Sequence, residues 1–145
     1  MSAPAQSKVL QSPTQTTAKP IEPSDTSLSA RWMHCAPFIE AALEYAHGSH
    51  KVGDVFATIL RGDAQFWPAE DAGLVTEVID YPQRRTLRFW LAGGNLETLQ
   101  ELEAAAIEWS KRWDCVACEI IGRRGWVRAL EGYEEAATVG VKEYV

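Results

Sequence analysis

The chain has 145 residues, 46% of them hydrophobic and 23% charged, which is the size and composition of one soluble domain and leaves no room for two packed cores. Six Trp, four Tyr and four Phe exclude a wholly disordered chain, because disordered composition carries far less buryable surface. A net charge of -6 has the wrong sign for a surface that grips nucleic-acid phosphates, so direct sequence-specific nucleic-acid binding is not expected.

No stretch approaches the roughly 18 apolar residues of a spanning helix, and the N-terminus lacks the apolar core of a signal peptide. Three Cys do not make a disulfide framework. The expectation is a reduced protein made in the cytoplasm, with no membrane partner.

Residues 1–30 form a separate region, with Pro4, Pro13, Pro20 and Pro23 among Ser, Thr and Gln and no aromatic residue. That is linker composition, with too little apolar surface to offset its ordering entropy. Lys8 and Lys19 balance Glu22 and Asp25, so the whole charge belongs to residues 31–145, which hold 12 basic and 18 acidic side chains. The expected organisation is an extended or disordered N-terminal arm, 1–30, and a folded domain, 31–145. The arm is either a dispensable leader or a strap along a partner, with Val9, Leu10 and Ile21 as its anchors.

From Pro37, residues Phe38, Ala41, Ala42 and Tyr45 repeat at helical spacing until Gly48. A second helix is predicted over Val52–Leu60, with Gly62 at its end. Ala64–Trp67 is a short extended run stopped by Pro68, and Gly73–Ile79 has the β-branched content of a strand. Tyr81-Pro82-Gln83-Arg84-Arg85 reads as a turn into a strand over Thr86–Leu91. Alternation puts Leu87, Phe89 and Leu91 on one face and Arg88 and Trp90 on the other.

Leu99, Leu102, Ala106, Trp109 and Trp113 make one stripe of a helix over Leu96–Trp113, with Asn95 as N-cap and Gly93-Gly94 as a flexible approach. A buried strand over Cys115–Ile121, a turn at Gly122–Gly125, a short helix over Trp126–Leu130 and a last strand over Thr138–Tyr144 complete the chain.

Cys115 and Cys118 have the spacing of zinc and redox motifs, but they fall in a strand, where residues three apart face opposite sides. They read as structural thiols. His34, Cys35, His47 and His50 lack the companion pattern of a zinc site, so no metal is expected. Arg123, Arg124, Trp126 and Arg128 are a basic and aromatic patch in an acidic body. They read either as an anion or partner contact or as an exposed turn beside a core Trp.

The element order, and the stretch Gly125-Trp126-Val127-Arg128-Ala129-Leu130-Glu131-Gly132-Tyr133 above all, resembles the Gcn5-related N-acetyltransferase (GNAT) fold over about residues 34–145. The resemblance implies an α+β architecture, a mixed, mostly antiparallel sheet flanked by helices. It also implies acyl-CoA held by the loop between the fourth strand and the long helix. The family places Gln/Arg-x-x-Gly-x-Gly/Ala there, because small residues let backbone N–H groups reach the pyrophosphate.

Here the loop reads Trp90-Leu91-Ala92-Gly93-Gly94-Asn95, and Glu97 follows with a carboxylate in the first helical turn. The family's tyrosine general acid has no counterpart in Trp126–Glu131. Glu77 or Glu119 could serve as general base, although a carboxylate on a sheet edge is more often solvated. On these departures no cofactor and no catalytic residue are expected, and the chain reads as a fold of the family used without its enzyme activity.

Phe38–Gly48, Asp80-Tyr81-Pro82, Phe89–Gly94 and Gly122–Trp126 are also similar to small GNAT-like proteins of tailed bacteriophages and prophages. That resemblance implies a non-enzymatic virion-associated structural or assembly protein, at the head, neck or tail or among ejected internal components. Its partners would be portal, tail or capsid subunits, engaged in multiple copies through the arm and through Arg123, Arg124, Trp126 and Arg128. The alternative is an acyl-CoA-dependent N-acyltransferase acting on a host protein or nucleic acid.

Overall fold

The computed structural model describes residues 19–121 and 129–144. Among them the elements follow as α1 (Leu28–Leu43), α2 (Val52–Leu60), β1 (Gln65–Pro68), β2 (Ala72–Asp80), β3 (Arg85–Gly94), α3 (Leu96–Lys111) and β4 (Ala117–Ile120). The strands form one sheet in the order β1-β2-β3-β4. The first three are antiparallel neighbours, as short turns allow, and β4 joins β3 in parallel after the α3 crossover. The turn into β3 closes by paired hydrogen bonds between Tyr81 and Arg84.

The sheet is sandwiched. On one face Trp32, Ile39 and Leu43 of α1 and Val55 and Ile59 of α2 pack on Phe66, Val75 and Leu91. On the other, Leu99, Leu102 and Ala106 of α3 pack on Trp67, Leu74, Leu87 and Phe89. Each large apolar side chain so buried contributes about 1.5–3 kcal/mol, so both faces are held by helices whose periodic stripes meet the pleat. Trp67 also donates from Nε1 to Thr76 Oγ1 at 3.0 Å, and Thr76 donates on to Gln65 Oε1 at 2.8 Å. This chain satisfies the polar atoms that β1 and β2 bury.

Four expectations are corrected. The first helix starts at Leu28, not Pro37, because Leu28, Trp32, Cys35, Ile39 and Leu43 already form its buried stripe. Pro37 lies on the exposed side, where the carbonyl it leaves without a donor can turn to water. Ile21 is not an anchor left free for a partner. Its side chain joins the α1 core and its N–H donates to Phe66 O at 3.0 Å, so the folded body begins before residue 31.

Trp113 does not extend the stripe of α3. The helix stops at Lys111, Asp114 takes a positive φ, and the Cys115 N–H returns to Ser110 O, which leaves Trp113 54% exposed. Thr138–Tyr144 forms no strand, since β-forming residues make one only against a paired edge, and Val139, Val141 and Tyr144 stand in solvent. The short helix expected over Trp126–Leu130 falls largely outside the described residues.

Candidate functional site

β3 changes partners halfway along its length. Its parallel ladder with β4 runs from Thr86↔Ala117 to Phe89↔Ile120, closed by the Ile121 N–H on Phe89 O. At the next residue the register with β2 slips. Val75 faces Leu91 and Thr76 faces Phe89, so Trp90 is the extra residue of a β-bulge. A bulge bends its strand and breaks the alternation of faces. Trp90 and Leu91 therefore both lie on the α1 face, which corrects the expectation that Leu91 shares a face with Leu87 and Phe89.

Beyond the bulge β3 follows α1 instead of β4. A Cβ on Gly93 would overlap the carbonyl oxygen of Phe38, and one on Gly94, at φ +109°, would overlap that of Asp71. The two glycines are thus required by close backbone packing and are not a flexible approach.

Past the end of the β3–β4 ladder a small cleft with a cavity volume of about 50 Å³ opens, partly to solvent. Leu74, Phe89, Leu99 and Glu103 line it from the α3 face, and Ala42, Tyr45, Trp90 and Leu91 from the α1 face. The cleft therefore passes through the plane of the sheet.

On the α1 face lies a row of charge across three strands, because the register sets Glu77 opposite Arg88 and Arg88 opposite Glu119. Arg88 Nε donates to Glu119 Oε2 at 2.8 Å, and Arg88 Nη1 lies 3.6 Å from Glu77 Oε1. Tyr81 Oη donates to Glu119 Oε1 at 2.9 Å. Burial raises the Glu77 carboxyl above the usual carboxylate range, while the positive charges of Arg88 and His50 pull it back only in part. The His50 ring stands edge-on to Trp90 with centroids 5.0 Å apart, and Ser49 Oγ is 2.8 Å from His50 Nδ1. His50 thus contacts Trp90, which lines the cleft, and acts electrostatically on the partly desolvated Glu77.

Across the sheet, Tyr133 Oη is 3.2 Å from Cys118 Sγ. Burial, then the contacts with Cys118 and Glu103, hold this phenol far above the ordinary tyrosine range. Cys35, Cys115 and Cys118 are all raised by burial and stay as thiols. Cys115 precedes β4, and both it and Cys118 pack into the α3-side core. Among the described residues no group of three or more His, Cys, Asp or Glu gathers as a metal site.

The start of α3 is already occupied by the chain itself. Asn95 donates its N–H to Asp71 O at 2.9 Å and caps the helix by accepting from the Thr98 N–H at 3.0 Å. Glu97 stands in the first turn, and Asp71 Oδ1 is buried with no hydrogen-bond partner among the described residues.

Of the residues expected to contact a partner, Val9, Leu10, Arg123, Arg124, Trp126 and Arg128 lie outside the described residues, and Ile21 belongs to the core. Glu77 and Glu119, named from the sequence only as possible bases, are brought together by Arg88. The contact of His50 with Trp90 had no sequence signal, because a loop residue meets a bulge residue forty positions later.

No protein-family model matches this chain, and no curated protein matches it. Solved structures do. An aminoglycoside acetyltransferase from an uncultured soil metagenomic sample, in complex with sisomicin, aligns with a TM-score of 0.61 and 10% identity over 86% of this chain and 93% of that one. A GNAT family acetyltransferase of Staphylococcus aureus aligns with a TM-score of 0.56 and 12% identity over 82% of this chain and 93% of that one. At such identities the likeness is one of fold, and the architecture is GNAT-like, an α+β sheet flanked by helices. The comparison overturns the expectation of a non-enzymatic virion component, because the proteins that share the architecture are acetyltransferases.

Proposed function

We propose that the protein is an N-acyltransferase that moves an acyl group from a coenzyme A-type thioester to an amine. The observation that carries this reading is the cleft through the splayed sheet, which lets a donor enter from the α3 face and an acceptor from the α1 face. The residues fit such a donor. The apolar walls suit a slender acyl arm, and residues 90–94 of β3 have no strand on their β4 side among the described residues, an edge to which an amide-bearing arm can add.

Glu77 is our choice of general base for the incoming ammonium, since its carboxylate is partly desolvated and so more basic than an exposed one. The amine nitrogen then bonds to the thioester carbonyl carbon and the C–S bond breaks. The amine's second proton leaves with the departing sulfur as thiol. Arg88 and Glu119 act as positioning residues that hold Glu77 in the charge row.

The test is thiol release from acetyl-CoA in the presence of a panel of primary amines that includes sisomicin. Amine-dependent release with a mass-detected acetyl product is expected. No release, together with no calorimetric binding of acetyl-CoA at millimolar concentration, would reject the reading.

A further inference from the structure

The ordinary place for a pyrophosphate beside this cleft is the N-terminus of α3, where free N–H groups and the helix dipole favour anions. In this chain part of that place is taken. The Asn95 N–H is held by Asp71 O and the Thr98 N–H by the Asn95 side chain. Gly93 and Gly94, whose lack of Cβ could admit a phosphate, are instead pressed against Phe38 and Asp71.

Asp71, bonded through its backbone to Asn95, carries a buried carboxylate oxygen with no hydrogen-bond partner among the described residues. An anion brought there meets that oxygen, whereas the cleft itself remains open and apolar.

We propose that the donor is recognised as an acyl-pantetheine thioester, through its acyl group and pantetheine arm, and that the nucleotide pyrophosphate of coenzyme A adds little. This rests on the acyltransferase reading and names the part of the donor that the site takes. The recognised unit is shared by coenzyme A and by any shorter pantetheine carrier.

The experiment compares kcat/KM for acetyl-CoA, S-acetyl-pantetheine and S-acetyl-N-acetylcysteamine with one amine acceptor and the full chain. Acetyl-pantetheine is expected within fivefold of acetyl-CoA, and the truncated N-acetylcysteamine thioester at least tenfold below both. A preference for acetyl-CoA above fivefold overturns the proposal wherever on the chain the phosphates are held. Equal use of the truncated thioester overturns the role of the pantetheine arm. Turnover of none of the three rejects the acyltransferase reading itself, and the proposal falls with it.

Discussion

From Thr86 to Phe89, β3 has a strand on each side, β2 and β4, and its α1 face carries a row of charge. From Trp90 to Gly94 it has β2 alone beside it among the described residues, and its glycines lie directly on α1. The first half spends its backbone on the sheet and its side chains on fixing Glu77 and Glu119 around Arg88. The second half is held by backbone packing and has no strand on its other edge among the described residues. A single inserted residue, Trp90, separates the two. On the acyltransferase reading, the boundary of register joins a rigid half that would supply acid–base chemistry to a half beside the cleft.

The largest effect should come from breaking the rigid half at its base. Glu77→Gln is expected to lower amine acylation by about 10²–10⁴ while the far-ultraviolet dichroism stays unchanged. Rates of the unaltered protein should rise with pH through the Glu77 ionisation, which lies above the usual glutamate range, since only the carboxylate accepts the proton. The stability sign is opposite. A carboxyl raised on folding contributes stability that is present below its unfolded pKa and is lost as pH rises through the folded one. Glu77→Gln should therefore not lower stability at neutral pH, and a urea midpoint well below that of the unaltered protein would show that Glu77 is structural.

Breaking the open half requires filling the contact at Gly93. Gly93→Ala puts a methyl where the Phe38 carbonyl stands, and neither backbone can yield alone. A loss of about 3 kcal/mol is expected, at the upper end for overpacking, measured by urea unfolding. Glu119→Gln is milder. It weakens one charge-assisted bond to Arg88, which keeps Glu77 within reach, so about 1 kcal/mol or less should be lost at moderate salt.

The legible parts of the fold were those written in local pattern. The apolar repeat of Val52–Leu60 gave α2 its observed limits, Asn95 capped α3, and the β-branched content of Gly73–Ile79 lay within β2. Illegible was whatever depended on two segments meeting. Leu28 looks like a linker residue until the sheet supplies something to pack on. Trp90 reads as one more alternating residue until its partner strand fails to keep step. Glu77 and Glu119 could be named as carboxylates, but only the registers of two ladders place them on one arginine. The glycines of the loop were visible, yet their purpose was misassigned, because a sequence does not say which backbone comes close.

The smallest predicted effect makes that last point measurable. Gly53 lies in the first turn of α2 with nothing within 4 Å of where its Cβ would stand, and its φ is not positive. Alanine there narrows the unfolded ensemble and favours the helix, so Gly53→Ala should stabilise the protein by about 0.5 kcal/mol. The substitution is the same as at Gly93, and so is much of the unfolded-state contribution. The difference in free energy between the two variants therefore reads what lies in front of the added methyl. If urea unfolding gives Gly93→Ala and Gly53→Ala the same sign, the far half of β3 is not pressed on α1, and the contrast between the two halves of the strand fails with it.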